Sequence, residues 1–435
     1  MVRLNVLSPQ RQNKKDGRLS NGSGLQKDNP GFNEGVLING SNNKAVQRGI
    51  YRERDHPSKR IRRARFLFSK TMEELSCIAQ QYAWGKLGVD SEVARFKKGT
   101  VQYIFHLSLG LSPHDFVFIL SFLGANDDFV VNPEAPYSEL WMGTHVSGPS
   151  AIKSTSESLA AYLLRNPALV GYSPKDYPSN DLAFLFKVLS IRTALSIQAH
   201  PDKALAAQLF QKFPHIYKDA NHKPEMAIAL TPFEAMCGFR PVSEITAFIA
   251  DYPELKRILE AKAIDSLQKI SDEDSMESKQ EAIKALFHSF MKCDDITVNE
   301  QIRIMISRLQ EKTSQERSEL ETLILRLHAD YPNDRGVFCP LLLNTLTLKA
   351  GESFFMGANE PHAYISGDCI ECMALSDNVV RAGLTPKFKD ADTLMNMLHF
   401  RRPFLPFFLY FSLYNRIFFH IQVRKDVLLH RTSRH

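Results

Sequence analysis

Hydrophobic and polar positions change their rhythm several times along the chain, and the changes mark its organisation. SESLAAYLLRN (156–166) and PDKALAAQLFQKF (201–213) place apolar residues three and four apart, which predicts two short amphipathic helices; Pro201 and Asp202 suit the first turn of the second. From EITAFIADY through ESKQEAIKALFHSFM (277–291), VNEQIRIMISRLQEK (298–312) and QERSELETLILRLHADY (315–331) the same spacing persists, with charges on the other side. It predicts a helical block over 241–331. Strand-like segments follow at LNTLTLKAGESFFMG (343–357), HAYISG (362–367) and CIECMAL (369–375), with turns expected at Ala-Gly and Ser-Gly-Asp. A strand-rich body interrupted by helices predicts an α+β or all-β core with a helical insertion. Two stretches fit no rhythm. Residues 1–70 have little apolar periodicity, which predicts disorder, and 97–128 is apolar without alternation or a stripe.

Charge sharpens this division. Residues 1–70 carry 16 Lys/Arg against 5 Asp/Glu, and residues 401–435 carry 7 against 1. With a chain total of +6, those ends at +11 and +6 leave −11 on the body between them. An acidic body argues against a nucleic-acid-binding domain. The basic cluster KRIRRAR (59–65) reads as a nuclear signal, part of a transit peptide or a solvated basic run. Six cysteines in 435 residues make no disulfide framework, and a reducing compartment is the simpler expectation. The start lacks the apolar core of a secretory signal, and PFLPFFLYFSLY (403–414) is too short for a bilayer, so a cytoplasmic protein away from membranes is expected.

Candidate donors lie on the strand-like segments. If 195–200 is a strand, Ser196, Gln198 and His200 share one face. Lys223 and Glu225 share a face in NHKPEMAIAL, and His362 and Tyr364 another, followed by Glu371, Asp377, Arg381 and Lys387. Two imidazoles, a carboxylate and a carboxamide oxygen would suit zinc, with room for a water or substrate oxygen. The same residues could equally be ordinary polar groups at strand edges. Cys369 and Cys372 have CxxC spacing inside an apolar pattern, which reads better as buried thiols than as ligands. No GxxxxGK(S/T), GxGxxG or GxSxG occurs, so nucleotide-binding and hydrolase motifs give no alternative.

Five long motifs occur in the order found in one family: QYAWGKLGVDSEVAR, PYSELWMGTH, FLFKVLSIRTALSIQAHPDKALA, ANHKPEMAIALTPFEAMCGFRPV and PHAYISGDCIECMALSDNVVRAGLTPKF. They resemble the type I mannose-6-phosphate isomerases, from about Met72 to Leu398. The resemblance implies a mainly β, cupin-type (jelly-roll) catalytic domain over 72–240 and 332–400, a helical domain over 241–331, and α+β overall. It implies one zinc held by Gln198, His200, Glu225 and His362, with Arg381 as the catalytic arginine. The implied reaction interconverts mannose 6-phosphate and fructose 6-phosphate through a cis-enediol, and the expected partner is a small phosphorylated sugar. Oligomeric state is unread and a monomer is assumed.

Beside that resemblance, Glu371 reads as the proton-shuttling base or as a structural carboxylate paired with a lysine or arginine. Ser196, Lys223, Tyr364 and Lys387 read as substrate contacts, or as surface lysines, a strand-edge serine and a wall aromatic. Residues 1–71, 97–131 and 401–435 depart from the family pattern. The insert and the tail read like translated non-coding sequence, as from a retained intron or a gene-model error. A zinc-binding but inactive or unstable isoform is then one alternative. The other is an iron oxygenase of the cupin type, against which the glutamine donor and the arginine motif speak.

Overall fold

The computed structural model describes residues 2–5, 72–99, 104–109, 117–122, 129–170, 182–271, 273–400 and 417–422. The strands at 2–5, 104–109, 117–122 and 417–422 are described by their backbone. Most of the expected disordered extension and of the 401–435 tail therefore lies outside the described residues.

A ten-stranded sheet carries the site. Its strands are β1 (Ile78–Gln80), β2 (Glu139–Met142), β3 (Phe184–Ile191), β4 (Ile197–Ala199), β5 (Glu225–Ala229), β6 (Phe233–Phe239), β7 (Leu343–Leu348), β8 (Ser353–Met356), β9 (His362–Ala374) and β10 (Val380–Gly383). The main path runs β7-β6-β9-β3-β2-β1; β4 pairs with β9 and β10, and β5 with β8 and β9. All of these pairings are antiparallel. A second, six-stranded sheet takes in the strands at 417–422, 104–109, 117–122 and 2–5, followed by Met72–Ser76 and Ala151–Ile152.

One expectation is corrected on β9. Ser366-Gly367-Asp368 is not a turn between two strands; it continues a single strand of 13 residues just past a bulge at Ile365–Ser366. Opposite β6, Glu234 pairs with Ser366 and Ala235 with Tyr364, so one residue of β9 is extra. Gly367 beside it has φ +105°, a conformation only glycine adopts freely. A Cβ there would meet Pro232 O and lie 2.9 Å from Phe233 Cα. The kink is pinned by Asp368, whose buried carboxylate accepts from Lys86 Nζ at 2.5 Å, Ser190 Oγ at 2.6 Å and Thr231 Oγ1 at 2.9 Å.

Between β6 and β7 the chain is helical: α1 (Val242–Asp251), α2 (Pro253–Arg257), α3 (Ala261–Gln268), α4 (Met276–Lys292), α5 (Asp295–Glu311) and α6 (Glu319–Asp330). Ser275, Asp294 and Ser318 cap the last three, and Glu321 completes a capping box with Ser318. Arg335 closes the end of α4 by donating to Phe290, Met291 and Cys293 carbonyls and to Asp295. The apolar stripes of these helices form one large core with Ile197, Ala199, Ala363, Ile365, Val380 and Ala382. Those six residues alternate with Gln198, His362, Tyr364 and Arg381 along β4, β9 and β10. The helices thus cover one side of these strands and leave the donors on the other. No helix among the described residues is long and apolar enough to cross a membrane.

Candidate metal and active site

Three expected donors converge. His200 and His362 are buried, as is Glu225, and their ligand atoms all lie within 4.8 Å of one another. His200 Nε2 stands 3.4 Å from Glu225 Oε1, and His362 Nε2 stands 3.2 Å from Glu225 Oε2. The orientation of each ring decides what these distances mean. His200 Nδ1 lies 2.7 Å from Asn378 O and His362 Nδ1 lies 2.9 Å from Glu360 O. A carbonyl only accepts, so each Nδ1 carries the hydrogen and each Nε2 presents a bare lone pair. Burial pushes the His200 imidazole down to about 4, which keeps it neutral near pH 7. Both Nε2 atoms are buried without a hydrogen-bond partner. Lone pairs facing carboxylate oxygens, with no hydrogen between them, are costly unless a cation bridges them. This donor set fits one zinc ion, and the two backbone carbonyls fix the ring tautomers from behind.

Register places the remaining donors. Gln198 on β4 faces His362 on one side and Arg381 on the other, so its side chain shares their face. Ser196 Oγ donates to Gln198 Oε1 at 3.0 Å, holding the carboxamide rather than standing free. Lys223 is buried, with Nζ 3.5 Å from Glu225 Oε1. Arg381 and Lys387 line a cleft of about 640 Å³ together with Asp377 and Phe388; Arg381 is partly buried and Lys387 exposed. Burial lowers Arg381 from its ordinary value, though a guanidinium remains charged.

Glu371 lies deeper, and the β9 bulge brings it there. Without the extra residue, Tyr364 and Glu371 would fall on opposite faces; with it, Tyr364 OH donates to Glu371 Oε1 at 2.8 Å. On β5, Ala227 stands opposite Glu371, two residues from Glu225. Burial raises the Glu371 carboxyl, Glu225 raises it further, and Lys187 opposes both. Tyr364 is therefore a buried prop for Glu371, its own hydroxyl raised well above the phenol range by burial and by that neighbour.

Sequence reasoning passed over Lys187 and Glu139. Lys187 Nζ lies 3.2 Å from Glu371 Oε2 and 3.4 Å from Glu139 Oε2, and 5.2 Å above the Trp141 ring. Burial disfavours its charge, but Glu139, Glu371 and Glu225 outweigh that and raise it. The signal was present: a lone lysine inside the apolar run FLFKVLSI has to be paired. Asn378, whose carbonyl orients His200, is anchored by its side-chain amide donating to Asp219 O at 2.7 Å and Asn221 O at 3.0 Å.

Comparisons with known proteins point to one family. Residues 119–242 match the family model described as phosphomannose isomerase type I, catalytic domain, and residues 258–343 match its helical insertion domain. The first match begins inside the segment 97–131. The mannose-6-phosphate isomerase of Rattus norvegicus is 44% identical over 333 residues, covering 75% of this chain and 72% of that protein. The chain belongs to the type I phosphomannose isomerase family, and is an isomerase. The Bos taurus mannose-6-phosphate isomerase is 43% identical with the same coverage. Among solved structures, a variant of phosphomannose isomerase from Salmonella typhimurium superimposes with a TM-score of 0.59 at 31% identity, covering 76% of this chain and 74% of that one. A zinc-bound mannose 6-phosphate isomerase gives 0.58 at 30% identity, with equal coverage.

Proposed function

We propose that this type I phosphomannose isomerase interconverts mannose 6-phosphate and fructose 6-phosphate through a cis-enediol. The reading is supported above all by the paired bare Nε2 atoms of His200 and His362 against Glu225, set in one sheet with the buried Glu371–Lys187 pair. Gln198, His200, Glu225 and His362 would hold the zinc, which supplies Lewis acidity toward substrate oxygens.

The chain's own groups do the rest. Moving a proton between C2 and C1 requires a base in a dry place, and Glu371 has that environment with its carboxyl raised toward the working range. Lys187 and Tyr364 hold its two oxygens, so the carboxylate cannot swing away from the transfer. Arg381 stabilises negative charge developing on the substrate oxygens by charge-assisted hydrogen bonds. Lys387, at the exposed side of the cleft, neutralises the phosphate; Ser196 and Lys223 orient Gln198 and Glu225. The product would feed activated-mannose (GDP-mannose) synthesis in the cytoplasm, with the chain acting as a monomer. A coupled isomerase assay with and without a chelator tests the proposal. Turnover abolished by chelation and restored by zinc is expected; bound zinc with no turnover would instead favour the inactive isoform.

A further inference from the structure

His145 lies outside every motif role assigned so far, yet its ring is fixed on all sides. It opens a tight turn in which Gly148 N–H donates to His145 O at 3.0 Å. The turn lies on an indole: a Cβ at Gly148 would come 2.8 Å from Trp141 Cε3, and the Trp141 and His145 rings meet edge to face at 5.0 Å. Ser147 N–H donates to His145 Nδ1 at 3.1 Å. A nitrogen that accepts carries no hydrogen, so the ring proton sits on Nε2. That atom is 3.1 Å from Asp377 Oδ1.

Asp377 is held from its backbone as well. Its N–H donates to Asp219 Oδ2 at 2.8 Å, and neighbouring Ser376 Oγ donates to Asp219 Oδ1 at 2.8 Å. Its side chain is nevertheless 51% exposed, and it lines the cleft that holds Arg381 and Lys387. No lysine or arginine among the described residues forms an ion pair with it. An anchored carboxylate in a cationic cleft, with lone pairs to spare, is an acceptor awaiting a donor. A polyhydroxylated substrate supplies donors.

We propose that His145 is a positioning residue whose Nε2–H aims the Asp377 carboxylate into the cleft, where it accepts a hydrogen bond from a sugar hydroxyl. This rests on the sugar-phosphate reading above. A bond made equally to bound substrate and to transition state appears in KM and leaves kcat alone. The test compares wild type, His145→Gln, His145→Phe, Asp377→Asn and the His145→Phe/Asp377→Asn double variant, all zinc-loaded, with mannose 6-phosphate. His145→Phe should raise KM about tenfold, the loss expected for one hydrogen bond to a charged group, at nearly constant kcat. His145→Gln, which keeps a side-chain N–H, should recover most of that loss. The double variant should be no worse than Asp377→Asn alone, since both remove one interaction. An unchanged KM in His145→Phe, or losses that multiply in the double variant, overturns the inference. If the phenylalanine variant does not fold, His145→Asn, too short to reach Asp377, takes its place. Nitrogen chemical shifts of the ring give a readout independent of turnover. Wild type should show Nε2 protonated and Nδ1 bare, with the Nε2–H signal shifted in Asp377→Asn. A turnover-less wild type with that signature would sink the proposed function and leave the His145–Asp377 link standing; the opposite tautomer would sink the link.

Discussion

Glu225 is the residue on which the metal site balances. Its two oxygens face the two bare imidazole nitrogens separately, one each, and Lys223 approaches the first of them. Glu225→Ala removes the anionic donor and leaves a buried ammonium without its partner, two penalties from one substitution. Zinc content after gel filtration should fall from about one per chain to a small fraction, and turnover with it; a variant that keeps its zinc would contradict the ligand assignment. Glu371→Gln separates chemistry from metal binding. The amide fills the same space and still accepts from Tyr364, so zinc and fold should persist while kcat falls about 10²–10⁴-fold, the usual contribution of a positioned acid or base. A kcat within a few-fold of wild type would reduce Glu371 to a structural carboxylate. At this scale alternation only joined each donor to a neighbour on its own strand, His200 to Gln198, Glu225 to Lys223 and His362 to Tyr364; that they share one site was implied by the family resemblance. Glu139 and Lys187 were not grouped with them, because they meet only through pairing of β2 with β3, which no local pattern records.

At the scale of elements, alternation does two jobs at once. Ile197, Ala199, Ala363, Ile365, Val380 and Ala382 point into the helical core, so Gln198, His362 and Arg381 must point away from it. That much the period of two announces. It fails on β9, where Ser-Gly-Asp has the composition of a turn but continues the strand just past a bulge at Ile365–Ser366. The error is instructive because a turn would have separated His362 from Glu371, whereas the bulge carries both onto one face. Gly367→Ala tests this directly. The new methyl would strike Pro232 O, and φ +105° is strained for alanine, so the cost should exceed about 1 kcal/mol in a thermal or denaturant melt. Relief of that clash displaces β9, so kcat should drop in the folded fraction while zinc content holds. A melt and a kcat both equal to wild type would show that the kink has no part in setting the site. The last three helices, by contrast, were readable to within about four residues of their ends; Ser275, Asp294 and Ser318 cap α4, α5 and α6 locally, while α1 to α3 have no side-chain cap.

For the molecule as a whole, the shared core has a consequence for metal removal. The strands that carry Gln198, His362 and Arg381 are backed by the same apolar cluster that α1 through α6 fill. Loosening β4, β9 and β10 therefore unpacks Ile197, Ala363 and Val380 from beneath the helices, and the helical insertion has no separate core to retreat to. Without a cation, the face-to-face lone pairs of His200, His362 and Glu225 oppose the sheet's own pairing. A ligand bound only by the folded chain stabilises it by RT ln(1 + [L]/Kd), about 4 kcal/mol at a thousandfold excess over Kd. Chelation should then lower the melting temperature by several degrees, and far-ultraviolet ellipticity, dominated by the helices, should fall in the same single transition as near-ultraviolet signals from the sheet's Trp141 and Tyr364. Returning zinc should restore both together. If the helical signal melts at an unchanged temperature while the sheet signal shifts, the two parts do not share one cooperative core, and the backing of the metal strands by the helical insertion is only a contact between independently stable pieces.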